Sequence, residues 1–108
     1  MALMLGFYLT CGLCQFCREG TDTLCSQVRQ HGFSVDGGLA DYMKTPGRNL
    51  CKVLAHVPLE QACILADAVS TSYHAVTKRA RVTPGSSVAL VGVGGVGLHD
   101  LQMARLAR

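Results

Sequence analysis

The spacing of hydrophobic positions changes along the chain and predicts three zones. Between residue 58 and about residue 80, apolar residues recur at steps of three or four, which is the spacing of one helix face. Pro58 suits the start of this helix because its missing N–H costs nothing there. Three consecutive hydroxyl residues, 70–72, predict a bend within it. The predicted apolar face comprises Leu59, Ala62, Cys63, Ala66, Val69, Tyr73 and Val76.

The zones on either side of this helix have different patterns. Residues 1 to about 50 contain many glycines and little helical periodicity, which predicts a loop-rich lobe with short strands such as 38–43 (GLADYM). C-terminal to the predicted helix, Pro84 followed by Gly85 predicts a turn. The run 87–91 (SVALV) then predicts a buried parallel strand, and 98–108 has helical spacing.

Composition and charge exclude several classes of protein. The 108 residues are 49% hydrophobic, which is enough for one modest domain. The net charge is only +3 and the basic residues are mostly scattered, unlike the basic stripe of a nucleic-acid binder. The most apolar stretches are far shorter than the ~20 residues of a membrane span, and the first lacks the features of a signal peptide. We therefore expect a cytoplasmic protein with no nucleic-acid or membrane partner.

Four of the six cysteines lie close together in the sequence, in the pattern C-x2-C-x2-C-x7-C. They are Cys11, Cys14, Cys17 and Cys25. This spacing suits a closed tetrahedral zinc site of four thiolates, and Gly12 and Gly20 allow the tight turns that such a site requires. An iron–sulfur cluster fits less well because the bacterial ferredoxin pattern continues with x3-C-P. Disulfides and unrelated thiols remain alternatives. Cys51 and Cys63 lie outside the cluster and are predicted to be small buried residues.

A second motif, GVGGVG, has the spacing G-x-G-x-x-G between a predicted strand and a predicted helix. In a dinucleotide-binding turn, Gly92 would make the tight turn, Gly94 would admit the pyrophosphate and Gly97 would permit close packing. The alternative is a glycine turn that binds nothing. The acidic residue that contacts the ribose would fall beyond residue 108, so NAD and NADP both remain open. The predicted cofactor contacts are Gly92, Val93, Gly94, Gly95, Val96 and Gly97.

The order of four segments closely resembles the zinc-dependent alcohol dehydrogenases of the medium-chain dehydrogenase/reductase family. The segments are CGLCQFCREGTDTLC (11–25), GGLADYM (37–43), LADAVSTSYHAV (65–76) and VTPGSSVALVGVGGVG (82–97). The resemblance implies that the four clustered cysteines bind a structural zinc. It also implies that Asp67 is a ligand of the catalytic zinc, that Thr71 lies beside the nicotinamide and that 92–97 contacts the cofactor pyrophosphate. From the residues alone, Asp67 is only a single acid on a mostly apolar helical stretch.

The resemblance also implies an α/β fold made of parts of two domains. Residues 1–57 would be the C-terminal part of a GroES-like catalytic domain with a structural-zinc lobe. Residues 58–80 would be a helical connector carrying Asp67, and 81–108 would be the first strand, turn and helix of a Rossmann NAD(P)-binding domain. Asp100 departs from the family pattern because it places an acid early in the final helix.

The activity implied is hydride transfer between a small alcohol or aldehyde and NAD or NADP, in a full-length homo-oligomer that also binds zinc. The family's other two catalytic-zinc ligands, a Cys and the His of a Gly-His-Glu motif, have no counterpart in these 108 residues. We therefore expect an internal fragment that is inactive as an isolated chain. The alternative is a non-enzymatic zinc-binding module or the product of a truncated gene.

Overall fold

The computed structural model describes residues 2–107, which divide into two compact units, 2–54 and 55–107. The first unit contains two small antiparallel sheets. Their strands are β1 (Leu3–Leu5), β2 (Tyr8–Leu9), β3 (Arg29–Gln30) and β4 (Leu50–Lys52). β1 pairs with β4 and places Met4 opposite Cys51, whereas β2 pairs with β3. Two-stranded sheets bury little surface, and among residues 2–54 only Cys25 and His31 are buried.

Short helical turns complete the first unit. They are α1 (Gln15–Arg18) and two 3-10 turns, Asp22–Leu24 and Gly47–Asn49. The first two lie in the connection from β2 to β3, so the cysteine-rich segment is the loop that joins the two strands of one sheet. The predicted strand at 38–43 does not form. Its backbone has no neighbouring strand to bond, and the side chains of Leu39 and Tyr42 are almost fully exposed.

The second unit is helical. Its elements are α2 (Leu59–Ala62), π-helical turns at Leu65–Val69 and His74–Arg79, α3 (Ser70–Tyr73) and α4 (Gly95–Leu106). The helix expected from residue 58 to about residue 80 is therefore present, with a short non-helical turn after Ala62. The bend expected at 70–72 is absent, because these residues are helical. The hydroxyls of Ser70 and Ser72 donate to the carbonyls of the residues four positions earlier, Ala66 at 3.1 Å and Ala68 at 2.9 Å, which a helix accommodates.

The π-helical turns change which residues face the core. The N–H of Val69 donates to the carbonyl of Ile64 at 3.2 Å, five residues back instead of four. The extra residue in such a turn rotates every later side chain around the helix axis. Of the apolar face predicted at regular spacing beyond the first such turn, Val76 is buried but Tyr73 is exposed. Before that turn, Ala62 is buried and Leu59 is exposed.

The predicted turn at Pro84 and Gly85 is present. The N–H of Ser86 donates to the carbonyl of Thr83 at 3.0 Å, and Gly85 has φ +89°, as a type II turn requires. The buried strand expected at 87–91 is absent. Strand structure needs a hydrogen-bonded neighbour, and among the described residues this segment has none, so Val91 is fully exposed. No helix between residues 2 and 107 is long and apolar enough to cross a membrane.

The turn that leads into α4 depends on close contact between two glycines. Gly92 has φ +89°, a conformation that favours glycine. Gly94 is the N-cap of α4 and has an extended conformation. A Cβ atom added to Gly97 would overlap the carbonyl oxygen of Gly92. The chain therefore returns on itself at a separation that only a residue without a side chain permits.

A buried hydroxyl ties α3 to the first turn of α4. Ser72 is completely inaccessible to solvent. Its Oγ contacts the carbonyl oxygen of Ala68 on its own helix at 2.9 Å and that of Val96 on α4 at 3.0 Å. The surrounding buried residues, Val76 and Ala104, are too small to form an extensive core. The link between the two helices therefore rests on a polar contact as well as on apolar packing.

We expect Ser72→Ala to lower the free energy of unfolding by about 1–3 kcal/mol more than Ser70→Ala does, because the part-buried contact between α3 and the carbonyl of Val96 on α4 is then lost. Ser70 is the matched control, since its exposed hydroxyl bonds only within its own helical segment. Both changes gain the same helix propensity, which cancels in the comparison. Urea unfolding measures the difference, and equal midpoints for the two variants would contradict the role assigned to Ser72.

Gly97→Ala is expected to destabilise the chain by at least about 2 kcal/mol, because the new methyl group meets backbone that cannot move aside cheaply. Gly95→Ala is the control: a Cβ there meets nothing within 4 Å, and alanine favours a helix over glycine. Thermal unfolding of both variants tests this contrast. A Gly97→Ala chain as stable as Gly95→Ala would show that Gly97 and the carbonyl of Gly92 are not in close contact.

Candidate metal centre and cofactor turn

The four clustered cysteines bring their sulfur atoms together. The Sγ atoms of Cys11, Cys14, Cys17 and Cys25 all lie within 4.8 Å of one another. The Cys11 to Cys17 separation is 3.8 Å and the Cys14 to Cys17 separation is 3.5 Å. Four sulfurs at ~2.3 Å from a central zinc, in a tetrahedron, are about 3.8 Å apart. The arrangement is therefore close to the tetrahedron that one zinc ion requires.

Local structure explains how such a short segment gathers four sulfurs. Cys14 is the N-cap of α1 and Cys17 lies one turn later, so that both side chains fall on the same side of the helix. Gly12 and Gly20 have φ of +74° and +73°, and each reverses the chain direction. Cys25 follows the 3-10 turn Asp22–Leu24 and is buried. The tight turns expected at both glycines are present.

Backbone N–H groups point at two of the sulfurs. Those of Leu13 and Cys14 donate to the Sγ of Cys11 at 3.4 and 3.3 Å. The Sγ of Cys25 accepts from the N–H of Cys11 at 3.5 Å and from that of Gln27 at 3.4 Å. Such donors favour the thiolate over the thiol because they stabilise the negative charge. The loop backbone is therefore arranged to receive ionised sulfur.

The pKa values of Cys11 and Cys14 are shifted in opposite directions. The N–H groups of Leu13 and Cys14 lower the pKa of Cys11 to about 6. The N–H of Cys17 lowers the pKa of Cys14, but partial desolvation and the hydrogen bonds among the clustered thiols outweigh this effect and raise it to about 11. Four negative charges at such short distances repel one another strongly, and a divalent cation at their centre offsets that repulsion.

The alternatives to zinc fit the geometry less well. All six cysteines are free, so the cluster is not a pair of disulfides. The sulfur separations of 3.5 and 3.8 Å match the edges of one tetrahedral zinc site, about 3.8 Å, which favours a single ion over a larger multi-iron cluster. Cys51 and Cys63 are exposed, so the expectation that they are buried is wrong. Cys51 lies in a two-stranded sheet, and Cys63 follows the short helix α2.

Asp67 lies in a π-helical turn and is exposed. The hydroxyl of Thr71 donates to its Oδ1 at 3.0 Å, which orients the carboxylate. Turns of this kind often occur at functional sites. Among the described residues, however, only the cysteine cluster brings three or more metal-binding side chains together. A catalytic zinc requires three protein ligands, so Asp67 by itself does not hold one.

The glycine turn leaves the start of α4 open. Cβ atoms added to Gly94 or Gly95 would meet nothing within 4 Å, and no side chain caps the helix. Val93 and Val96 are exposed beside them. The first N–H groups of α4 therefore have room for an anion such as a pyrophosphate. Ser72, which contacts the carbonyl of Val96, was not predicted, because a serine in a helix gives no signal of a distant partner.

Comparison with known proteins finds alcohol dehydrogenases among the relatives of this chain. An alcohol dehydrogenase of Geobacillus stearothermophilus is 41% identical over 99 residues, which cover 91% of this chain and 29% of that protein. Alcohol dehydrogenase 1 of Emericella nidulans is 40% identical over 92 residues, covering 85% of this chain and 26% of the relative. No protein-family model matches the sequence.

Solved structures give the same result. The alcohol dehydrogenase of the archaeon Aeropyrum pernix matches 97% of this chain with a TM-score of 0.83 and 38% identity, over 32% of its own length. A cobalt- and zinc-bound alcohol dehydrogenase of Pyrobaculum aerophilum matches 97% with a TM-score of 0.84 and 30% identity, over 31% of its length. The chain thus spans about 30% of the length of its relatives. By sequence and by backbone, the chain matches, as a fragment, alcohol dehydrogenases of the zinc-dependent type in the medium-chain dehydrogenase/reductase family.

Proposed function

We propose that this chain is a working segment of a zinc-dependent alcohol dehydrogenase that transfers hydride between a small alcohol or aldehyde and NAD or NADP. The observation that carries the proposal is 41% identity to an alcohol dehydrogenase over 91% of this chain. Because the chain spans about 30% of its relatives' length, the activity proposed is that of a longer protein.

The role proposed for the four clustered cysteines is to bind one structural zinc. A zinc ion bound by four thiolates has no open coordination position. When bound, it supplies folding stability and no reaction chemistry. The donors come from α1, from the 3-10 turn and from the loop before them, and one ion would join these three pieces. The sulfur separations of 3.5 and 3.8 Å support this role.

The domain assignment proposed is the one that the resemblance implies. Residues 1–57 would belong to a GroES-like catalytic domain, 58–80 to a helical connector and 81–108 to a Rossmann domain. The turn at Gly85, the glycine turn and α4 support the last assignment, because they follow the order expected of the first cofactor-binding unit.

The proposed contributions to the active site are limited to positions within the second unit. Asp67 would supply one catalytic-zinc ligand once a longer chain brings the other two, and Thr71 would orient its carboxylate and lie beside the nicotinamide. The turn 92–97 would hold the pyrophosphate of NAD or NADP at the N-terminus of α4. A NAD-dependent alcohol dehydrogenase that matches 97% of this chain with a TM-score of 0.90 supports a nicotinamide cofactor.

Location, nucleic-acid binding and assembly of the longer protein are inferred from composition and from the family resemblance. Six free cysteines suit a reducing compartment, and we infer a cytoplasmic location. A net charge of +3 offers no basic surface for nucleic acid. A homo-oligomeric full-length form is inferred from the family resemblance alone.

The second candidate function is that of a zinc-binding module without enzymatic activity. It is favoured by one observation: all four clustered cysteines come from residues 11–25, so a metal site can close without any other part of the chain. The surrounding gene sequence separates the two candidates. An in-frame Gly-His-Glu upstream and further coding sequence downstream support the enzyme, whereas stop codons on both sides support the module.

The purified chain is expected to hold one zinc ion, which Cys14→Ser loses because three thiolates no longer close the tetrahedron. Cys63→Ser is the matched control, because Cys63 is exposed and lies outside the cluster. Mass spectrometry under native conditions and elemental analysis measure the metal per chain. A wild-type chain without zinc, or equal zinc content in both variants, would contradict the assignment of the cluster.

The isolated chain is expected to oxidise no alcohol, because its described residues do not assemble a catalytic-zinc site. The chain should function when it replaces the matched segment of the Geobacillus alcohol dehydrogenase. In that chimaera, Asp67→Asn should lower kcat/KM by about 100-fold or more through weaker metal binding.

Asp41→Asn, at an exposed position outside the helical region, is the control for this change. Reduction of NAD and of NADP is followed spectroscopically on folded chimaeras. A chimaera whose activity is unaffected by Asp67→Asn would refute the ligand role. Robust zinc-dependent oxidation by the 108-residue chain would refute the expectation of inactivity.

A further inference from the structure

We propose that Arg48 is a positioning residue for the cysteine cluster, holding the backbone on both sides of Cys11. The inference rests on the zinc site proposed above, and it goes beyond that site to a residue 37 positions away in the sequence from the first ligand.

The guanidinium of Arg48 contacts both neighbours of Cys11. Its Nη2 donates to the carbonyl oxygen of Thr10, the residue immediately before that cysteine. On the other side, a Cβ atom added to Gly12 would lie 3.0 Å from Nη1 and 3.5 Å from Cζ of Arg48. The planar head group therefore lies against the bare Cα of Gly12. One side chain thus spans the peptide segment from which Cys11 projects.

Asn49, the residue after Arg48, makes further hydrogen bonds to Gly6 and Tyr8, which precede the cysteine-rich loop. The side-chain amide of Asn49 donates to the carbonyl of Tyr8 at 2.5 Å, and the N–H of Gly6 donates to the backbone carbonyl of Asn49 at 2.6 Å. Because Arg48 and Asn49 lie in one 3-10 turn directly before β4, they link a paired strand to residues 6–10. The segment that delivers Cys11 is held along its whole length.

The position of Cys11 matters to the entire cluster. Its sulfur accepts two backbone N–H groups and lies 3.8 Å from the sulfur of Cys17, while its own N–H donates to the sulfur of Cys25 at 3.5 Å. A shift of this one backbone segment therefore disturbs contacts to two other ligands. Outer-shell partners of metal ligands contribute about 10–100-fold to metal affinity.

Two physical effects of Arg48 need to be separated, since a guanidinium also carries charge. A tetrathiolate zinc has a net charge of about −2, so any nearby cation stabilises it. Arg18 provides the comparison: it directly follows Cys17, it is exposed, and its side chain makes no hydrogen bond within the described part of the chain. Removing its charge tests electrostatics without removing a contact to the ligand loop.

The experiment measures zinc affinity of the 108-residue chain by competition with a chromogenic chelator, with zinc content and circular dichroism recorded on each sample. Arg48→Met, which keeps an unbranched stem but no donors, is expected to weaken zinc binding about 10–100-fold. Arg18→Met is expected to stay within about twofold of wild type. Arg48→Lys should recover little, because one ammonium cannot both bond Thr10 and lie flat on Gly12.

Each other outcome has a definite meaning. If Arg48→Met binds zinc as tightly as wild type, or if Arg18→Met weakens binding equally and Arg48→Lys restores it, the positioning role is overturned. If Arg48→Met does not fold, Arg48→Lys decides, and wild-type affinity in that variant overturns the proposal. A wild-type chain that holds no zinc overturns the metal site itself, so the two failures are distinguishable.

Discussion

The repulsion among four crowded sulfurs is the constraint on which the first unit depends. Four thiolates within 4.8 Å of one another are unfavourable unless a cation lies between them. The same unit buries only Cys25 and His31 among residues 2–54, so apolar packing offers little to offset that cost. A bound divalent ion would remove the repulsion and supply the missing cross-link at once. With such an ion, metal binding and folding of this lobe would be one equilibrium.

The second unit meets a different constraint, the close approach of backbone to backbone. Its buried side chains are small: Ala62, Ser72, Val76 and Ala104. Small residues let α3 approach α4 closely enough for a serine hydroxyl to reach a carbonyl on the neighbouring helix. The contact between Gly97 and Gly92 follows the same logic within a single turn. The shape of the start of α4 therefore depends more on glycine and other small residues, which permit close backbone contact, than on large side chains.

Local features of this molecule could be predicted from its sequence, and features that depend on distant partners could not. The cysteine cluster, the turn at Gly85 and the helix from Leu59 to Arg79 arise from residues close together in the chain, so spacing and residue type were enough. The strand expected at 87–91 failed because a strand is defined by its neighbour. The burial of Ser72 and the exposure of Cys63 depend on packing against distant residues, which residue spacing does not encode.

The same distinction separates the two metal roles that the family implies. A structural site whose donors all fall within residues 11–25 needs only the loop that carries them and the contacts that hold that loop, such as those of Arg48. A catalytic site must keep one coordination position open, and it draws its ligands from distant parts of a chain. Asp67 is the position proposed for one such ligand: its carboxylate accepts a hydrogen bond from Thr71, and no second metal-binding cluster forms around it among residues 2–107. Residues 11–25 thus suit a structural metal by themselves, whereas the catalytic role proposed for Asp67 would require further ligands from a longer chain.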